Sequence, residues 1–504
     1  MEQISSKFSQ PSRQSRVAIA IILIKFIRFT IRTFWPIALS IFIGRKSGSS
    51  FQDIIGYVAL GLAAFNLIGS VLTYFRFYFH IEDGAFVIDK GVLKRSKTNI
   101  PFERIQTINL QQNIVHQIFG VVSLEIDTAG AKKSEMTIDA LKKEDAEALR
   151  QYILEEKDQL SEVAATPDST EQAVQESFEE DVILKLDIGD LIKIGVSQNH
   201  LRSMAILFAF VFSTLNEVTD SVSDMVEEQL SGYQEAILSN GWVVFAGSVV
   251  IVGIISFIYS LVNTVLKNFD LKLTTRKGGL RVIRGLLNKE EISINKSKVQ
   301  NISWSDNPLR RAFKMYTIQI EQASSAQADQ LKSKIKIPGS YMQQVKQILE
   351  IVFPKEFIVE GEKHKVSILL KYRIFAFSGV LPALVATSVA FYLLGNNGLW
   401  FLVWIPIIWL TTSLYYKKRS FELNDEMLTN NRGTFGNYHE IFQLYKVQAV
   451  SIKQSWYQRR KNLASVVFHT AAGSLRIPFI PLQQAEELEN FVLYKVETDR
   501  RKWM

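Results

Sequence analysis

The 504-residue sequence has no cysteine and only six histidines. Without thiols there are no disulfide staples, thiolate metal centres, iron–sulfur clusters, cysteine nucleophiles or palmitoyl anchors. The histidines are too scattered to take over a metal site. Charge is missing from three long stretches, 54–75, 236–266 and 374–416. Each exceeds the ~20 residues that a helix needs to cross an apolar core of about 30 Å.

The 43 uncharged positions of 374–416 are interrupted only by Gly395-Asn396-Asn397-Gly398, which reads as a helical hairpin with a short turn. Two further stretches are less clean: 17–43 carries Lys25, Arg28 and Arg32, and 203–216 offers 14 uncharged residues. Both precede a clear span at hairpin distance, so the expectation is six helices in three pairs. The first apolar stretch is too long for a signal peptide and no small-residue cleavage pattern follows it, so it reads as an uncleaved span.

The net charge of +8 favours an anionic partner, either nucleic acid or an acidic membrane face. Its distribution favours the membrane. Segment 216–240 holds six acids and no Lys or Arg, whereas Lys7, Arg13, Arg16, Arg76, Lys267, Lys371, Arg373, Lys417, Lys418 and Arg419 flank the opposite ends. The asymmetry of cations puts the acidic loop outside and the large polar segments in the cytoplasm. Arg45 and Lys46 oppose this orientation and are outnumbered.

Those polar segments repeat. They read GVLKRSKTNIPFERIQTINL from Gly91, GLLNKEEISINKSKVQNISW from Gly285 and GTFGNYHEIFQLYKVQAVSI from Gly433, and in each a Gln (Gln106, Gln300, Gln448) stands 15 residues after the Gly. The Gly suits a hairpin position with φ > 0. The Gln reads most simply as satisfying backbone groups inside a barrel, with ligand contact as the alternative. Strands beginning 30 residues after each Gly place Val122, Leu124 and Ile126, then Tyr316, Ile318 and Ile320, then Ala464, Val466 and Phe468 on one face. A short strand and a helical tail (144–154, 341–353, 485–494) close each segment, which suggests a small barrel or sandwich capped by a helix.

The string from Phe86 through Gly130, with GVL, IPFERIQTI, Phe119-Gly120 and DTAG, resembles the bacterial PH-like domain of YdbT-type and YdbS-type membrane proteins. Three copies alternating with apolar hairpins resemble the larger, YdbT-like member over nearly the whole chain. In the third copy Lys461 stands where Phe119 and Phe313 stand in the others. The resemblance implies pleckstrin-homology-like barrels with a C-terminal helix and a bacterial plasma-membrane location. It supplies no reaction or ligand.

The expected fold is therefore an α+β membrane protein with six transmembrane helices in three hairpins alternating with three PH-like β-barrels. Its boundaries are 1–79 (first hairpin), 80–154 (first barrel), 155–181 (acidic flexible linker), 182–267 (second hairpin), 268–353 (second barrel), 354–419 (third hairpin) and 420–497 (third barrel). The linker has ten acids and one lysine, too polar to offset the entropy of ordering.

The sequence carries none of the common catalytic constellations. His439-Glu440 lacks the second His that HExxH zinc sites need, Gly44-Arg45-Lys46-Ser47 lacks the rest of a phosphate loop, and no G-x-S-x-G elbow occurs. No enzyme, cofactor or metal site is expected.

The basic clusters carry more signal. Lys25, Arg28 and Arg32 share one helical face, which suits side chains that snorkel to inner headgroups or a face that docks a partner. Arg310, Arg311 and Lys314, and Arg459, Arg460 and Lys461, sit at matching places before the shared strand, where an anionic leaflet offers about 1 kcal/mol per cation. They are candidates for lipid or partner binding, although a solvated basic loop explains them equally well. The first copy has Gln111, Gln112, Asn113 and His116 there instead.

The first hypothesis is a non-enzymatic membrane scaffold whose cytoplasmic domains bind anionic inner-leaflet lipid or a protein partner. The resemblance points to a smaller YdbS-like protein as that partner and to envelope protection as a role. The second is a transport or export component, against which stand the absence of buried acids, of inverted repeats and of matched broken helices. Nucleic acid is not an expected partner, because the cations follow the edges of the apolar stretches.

Overall fold

The computed structural model describes residues 8–25, 27–28, 57, 61, 64, 68–69, 71–91, 95–128, 136–163, 181–198, 200, 204–209, 241–276, 278–323, 334–354 and 361–501. The chain divides into two compact units. One comprises Met1–Ser177, Gln198–Asp270 and Ile283–Ile292, and the other Phe178–Ser197, Leu271–Val282 and Ser293–Met504.

The three repeats share one order of strands, with a short helix after the fifth strand and a closing helix after the seventh. The first runs β1 (Ser12–Arg13), β2 (Tyr78–Glu82), β3 (Ala85–Lys90), β4 (Ser96–Pro101), β5 (Ile105–Asn113), α1 (Ile114–Ile118), β6 (Val121–Thr128), β7 (Met136–Lys142) and α2 (Lys143–Val163). The second runs β8 (Val182–Lys185), α3 (Ile188–Val196), α4 (Gly241–Asn268), β9 (Lys272–Arg276), β10 (Gly279–Arg284), β11 (Asn288–Asn295), β12 (Val299–Ser305), α5 (Pro308–Ala312), β13 (Tyr316–Gln322), β14 (Lys334–Ser340) and α6 (Met342–Val352). The third runs β15 (Glu362–Lys365), α7 (Leu369–Phe375), α8 (Leu381–Leu394), α9 (Trp404–Lys418), β16 (Ser420–Leu423), β17 (Met427–Arg432), β18 (Tyr438–Gln443), β19 (Val447–Lys453), α10 (Trp456–Arg460), β20 (Leu463–Thr470), β21 (Gly473–Pro481) and α11 (Leu482–Thr498).

The repeat glycines behave as their spacing predicts. Gly91, Gly285 and Gly433 all have positive φ, and a Cβ on Gly285 or Gly433 would lie 2.0 or 2.2 Å from a backbone carbonyl oxygen. Of the expected strand faces, Val122, Leu124, Ile126, Ile318, Ile320, Ala464, Val466 and Phe468 are buried, and Tyr316 is half-buried. Ala146, Leu149 and Ile153 of α2 pack into one hydrophobic cluster, and Ala485, Leu488 and Val492 of α11 into another. Burial of each such large side chain stabilises by roughly 1.5–3 kcal/mol.

The structure overturns the expectation of six transmembrane helices and three closed barrels. Among the described residues two helical segments are long and apolar enough to cross a membrane, Ala246–Asn268 and Leu369–Lys418. The second folds back on itself, with the Phe375 and Trp409 rings 4.9 Å apart. Most of 17–43, 54–75 and 203–216 lies outside the described residues. The acidic segment begins as helix, because α2 continues through Val163, and 164–180 lie outside the described residues.

Among the described residues no sheet closes into a barrel. β1–β4 form a four-stranded sheet, β14-β13-β12-β18-β17-β16-β15 a seven-stranded one and β19-β20-β21 a three-stranded one. The reason lies in the partner each repeat chooses. After a 3-10 turn at Lys296–Lys298, β12 pairs not with a strand of its own first half but with β18 of the following repeat, from Asn301↔Phe442 to Ser305↔Tyr438. The same happens one repeat earlier, where β5 pairs with β11 from Leu110↔Glu291 to Asn113↔Asn288. An edge occupied in this way cannot close a barrel.

A second feature was not visible in the sequence. Each apolar stretch is inserted between two paired strands: Arg13 pairs with Tyr78, Lys185 with Lys272 and Lys365 with Ser420.

Candidate functional site

The short helices α1, α5 and α10 occupy the same place in each repeat and are built alike. Asn113, Asn307 and Ser455 cap them, each side chain accepting the backbone N–H three residues on, from His116, Arg310 and Gln458. Those three residues turn inward. The His116 Nε2 lies 2.8 Å from the Asp139 carbonyl oxygen, Arg310 donates to Ser197 Oγ at 3.3 Å and to the Thr317 hydroxyl, and Gln458 Nε2 donates to Ser465 Oγ at 2.8 Å. Burial pushes the His116 imidazole below its usual range, although its bond to Asp139 opposes this, and burial likewise lowers Arg310. Gly120, Lys314 and Asn462 end the helices with positive φ.

The outward residues differ between repeats. The first shows Ile114, Ile118 and Phe119, the second Leu309 and the third Trp456, which is 69% exposed. Arg311 donates to both oxygens of Asp306, at 3.1 and 2.8 Å, which raises its pKa. The Arg460 guanidinium lies 4.0 Å from the centre of the Trp456 ring, while Arg459 and Lys461 are exposed and make no ion pair among the described residues.

In the first unit a polar cavity of 380 Å³ opens where β5, α1, β6, β7 and β11 meet. Lys25, Gln111, Gln112, Asn113, His116 and Asp139 contribute to its wall. Lys25 Nζ pairs with Asp139 at 2.6 Å, and Gln111 donates to Glu125 at 3.0 Å. The Lys25 pair is largely exposed and adds little stability. The His116 Nδ1 is buried without a partner, so the neutral ring that donates from Nε2 leaves a lone pair there. No cluster of potential metal ligands occurs among the described residues.

Of the expected binding residues, the structure gathers Arg459, Arg460 and Lys461 at the exposed end of α10, beside Trp456. It turns Arg310 into the fold, occupies Arg311 with Asp306, and uses Lys314 to end a helix while its side chain stays exposed. Arg28 is exposed, and Arg32 lies outside the described residues. The sequence does hold a signal for the inward position: His116, Arg310 and Gln458 all stand 25 residues after the repeat glycine and are all polar. Asp139 and Glu125, which face Lys25 and Gln111, belong to no motif.

These triplicate elements agree with the comparison to known sequences. The profile of the bacterial PH domain matches residues 19–157, 229–355 and 375–496. The chain belongs to the bacterial PH domain family. It is also similar to the UPF0699 transmembrane protein YdbT of Bacillus subtilis (strain 168), with 23% identity over 492 residues, 96% of this chain and 98% of the relative. The second and third matches take in apolar helix, α4 and α8 with α9, as well as strands.

Proposed function

We propose that this protein is a non-enzymatic scaffold of the bacterial plasma membrane whose sheet regions lie on the cytoplasmic face, with the Trp456 loop seated on anionic lipid. Membrane residence is supported by the two apolar helical segments and by the likeness to a transmembrane protein. The cytoplasmic side is supported by the cations flanking the apolar stretches.

The observation that carries the lipid reading is Trp456, an exposed ring stacked under Arg460 and flanked by Arg459 and Lys461. Tryptophan prefers the headgroup region, and each cation near an acidic leaflet gains about 1 kcal/mol. Ile114, which holds the Trp456 position in the first repeat, and Leu309, one residue past it in the second, are exposed and give those repeats an apolar contact on the same short helix.

Because the chain has no cysteine, Lys461→Cys gives a single labelling site. The full-length variant, carrying a polarity-sensitive fluorophore, is placed in nanodiscs of neutral lipid or of mixed neutral and anionic lipid. The emission should shift to the blue in the anionic discs, return on raising the salt, and lose the shift when Arg459→Gln and Arg460→Gln are added. Identical spectra in the two lipids would overturn the proposal.

A further inference from the structure

The two joints between repeats share one register. Leu110, 19 residues after Gly91, faces Glu291, which is 6 after Gly285. Trp304, 19 after Gly285, faces His439, which is 6 after Gly433. The 3-10 turn that follows the facing strand also starts 11 residues after the glycine in all three repeats, at Phe102, Lys296 and Leu444.

The same two edges are left open once each. β19 is the counterpart of β5 and β12, and it ends its three-stranded sheet. β4 is the counterpart of β11 and β18, and it ends the four-stranded sheet. Among the described residues no strand covers either outer edge. Exposure follows this difference: Gln300 and Asn301 at the start of β12 are buried, whereas their counterparts Gln448 and Ala449 are exposed. An unpaired edge presents a row of N–H and C=O groups ready to add a strand.

We infer that β19 of one chain pairs antiparallel with β4 of a second copy, joining chains head to tail in the register already used twice within the chain. Ile452, 19 after Gly433, then faces Lys97, 6 after Gly91, and Lys453 faces Ser96. No like charges oppose each other along the strands.

Charge beside the strands supports this occupant. In the first joint Arg150, next to the buried Leu149 of α2, ion-pairs with Glu291. Glu489 follows the matching Leu488 of α11, and the residue at the Glu291 position of β4 is Lys97. The open joint therefore holds the same pair with its signs exchanged. Within its own chain Lys97 lies 3.6 Å from Glu82 in an exposed pair that is cheap to exchange, and a lysine on an edge strand can also serve to repel pairing. Here its position is one that takes a charge inside an existing joint.

The inference is independent of the lipid reading, since it rests on strand edges rather than on the Trp456 loop. The full-length chain carrying Lys453→Cys and Ser96→Cys, two exposed positions, is oxidised in nanodiscs or mild detergent and run without reductant. Disulfide-linked dimers and higher species are expected, because facing residues in antiparallel strands lie within disulfide reach. The control pair Lys453→Cys with Lys97→Cys, one residue out of register, should remain monomeric.

In the Lys453→Cys/Ser96→Cys background, Lys97→Glu or Glu489→Lys alone should lower the linked fraction about two- to fivefold, and the two together should restore it. Equal linking in and out of register, no linking at all, or charge reversals that fail to compensate would each overturn the inference. Failure of these tests leaves the lipid experiment unaffected, because that experiment reads a different loop.

Discussion

The two internal joints present the same geometry with opposite contents. Where β5 meets β11, the joint is polar: Arg150 reaches Glu291, Gln117 Nε2 donates to the carbonyl oxygens of Leu286 and Leu287 at 2.8 and 3.2 Å, and a cavity remains. Where β12 meets β18, Trp304 stacks on His439 at 5.2 Å between ring centres, and Phe442 of β18 turns into the hydrophobic cluster of the third repeat, its ring 5.6 Å from that of Phe468. Glu291 and His439 are equivalent positions, so a charge in one joint is replaced by an aromatic pair in the other. Strand register follows from the common lengths between glycine, turn and strand, and side chains then fill the joint either by pairing or by packing.

The sharpest way to separate these cases is Phe442→Ala. Loss of a fully buried ring should cost about 4 kcal/mol in the second unit. Hydrogen exchange on the detergent-solubilised chain should show β12 and β18 losing protection while β5 and β11 keep theirs. Equal loss at both joints would show that the two share one cooperative transition, and the contrast drawn between them would fail.

Arg150→Ala is the counterpart in the polar joint. It removes the guanidinium from the Glu291 carboxylate, which is 14% exposed, and should cost about 3 kcal/mol. Replacing both partners, as Arg150→Met with Glu291→Leu, should recover most of that loss in thermal unfolding, because an apolar pair of similar size carries no desolvation cost. A double variant as unstable as the single one would mean that the joint depends on charge rather than on filled volume.

Much of the repeat was legible before the structure. The fixed glycine spacing located the hairpins, and alternation along 121–127, 315–321 and 463–469 identified the buried faces, since strand side chains alternate with period two. Alternation tells which face is buried and nothing about which neighbour occupies an edge. For that reason the sequence pattern is compatible with closed barrels and does not reveal the joints. The strands Ser12–Arg13, Val182–Lys185 and Glu362–Lys365 are too short to carry a pattern of their own.

The candidate site was legible only in part. Charge alone grouped Arg310 with Arg311, whereas the repeat position sorts it with His116 and Gln458, which face inward. Gln300 and Gln448 make the same point, because one repeated residue is buried in a joint and exposed at an open edge.

The smallest expected effect concerns a cation used by the packed joint. Lys446 Nζ donates to the carbonyl oxygens of Ser297 and Val299, at 3.0 and 2.6 Å, and burial pushes its pKa down to about 8. Its ordinary value is 10.5, so between pH 8 and 10.5 the unfolded chain holds a proton that the folded chain does not. Stability contributed through this group therefore rises with pH across that window. Comparing the chain with Lys446→Met, thermal unfolding should show the unsubstituted protein gaining about 1–2 kcal/mol relative to the variant between pH 7.5 and 9.5. A difference that stays constant with pH would mean that the ammonium keeps its water, and that the joint is not as dry at Lys446 as it is at Phe442.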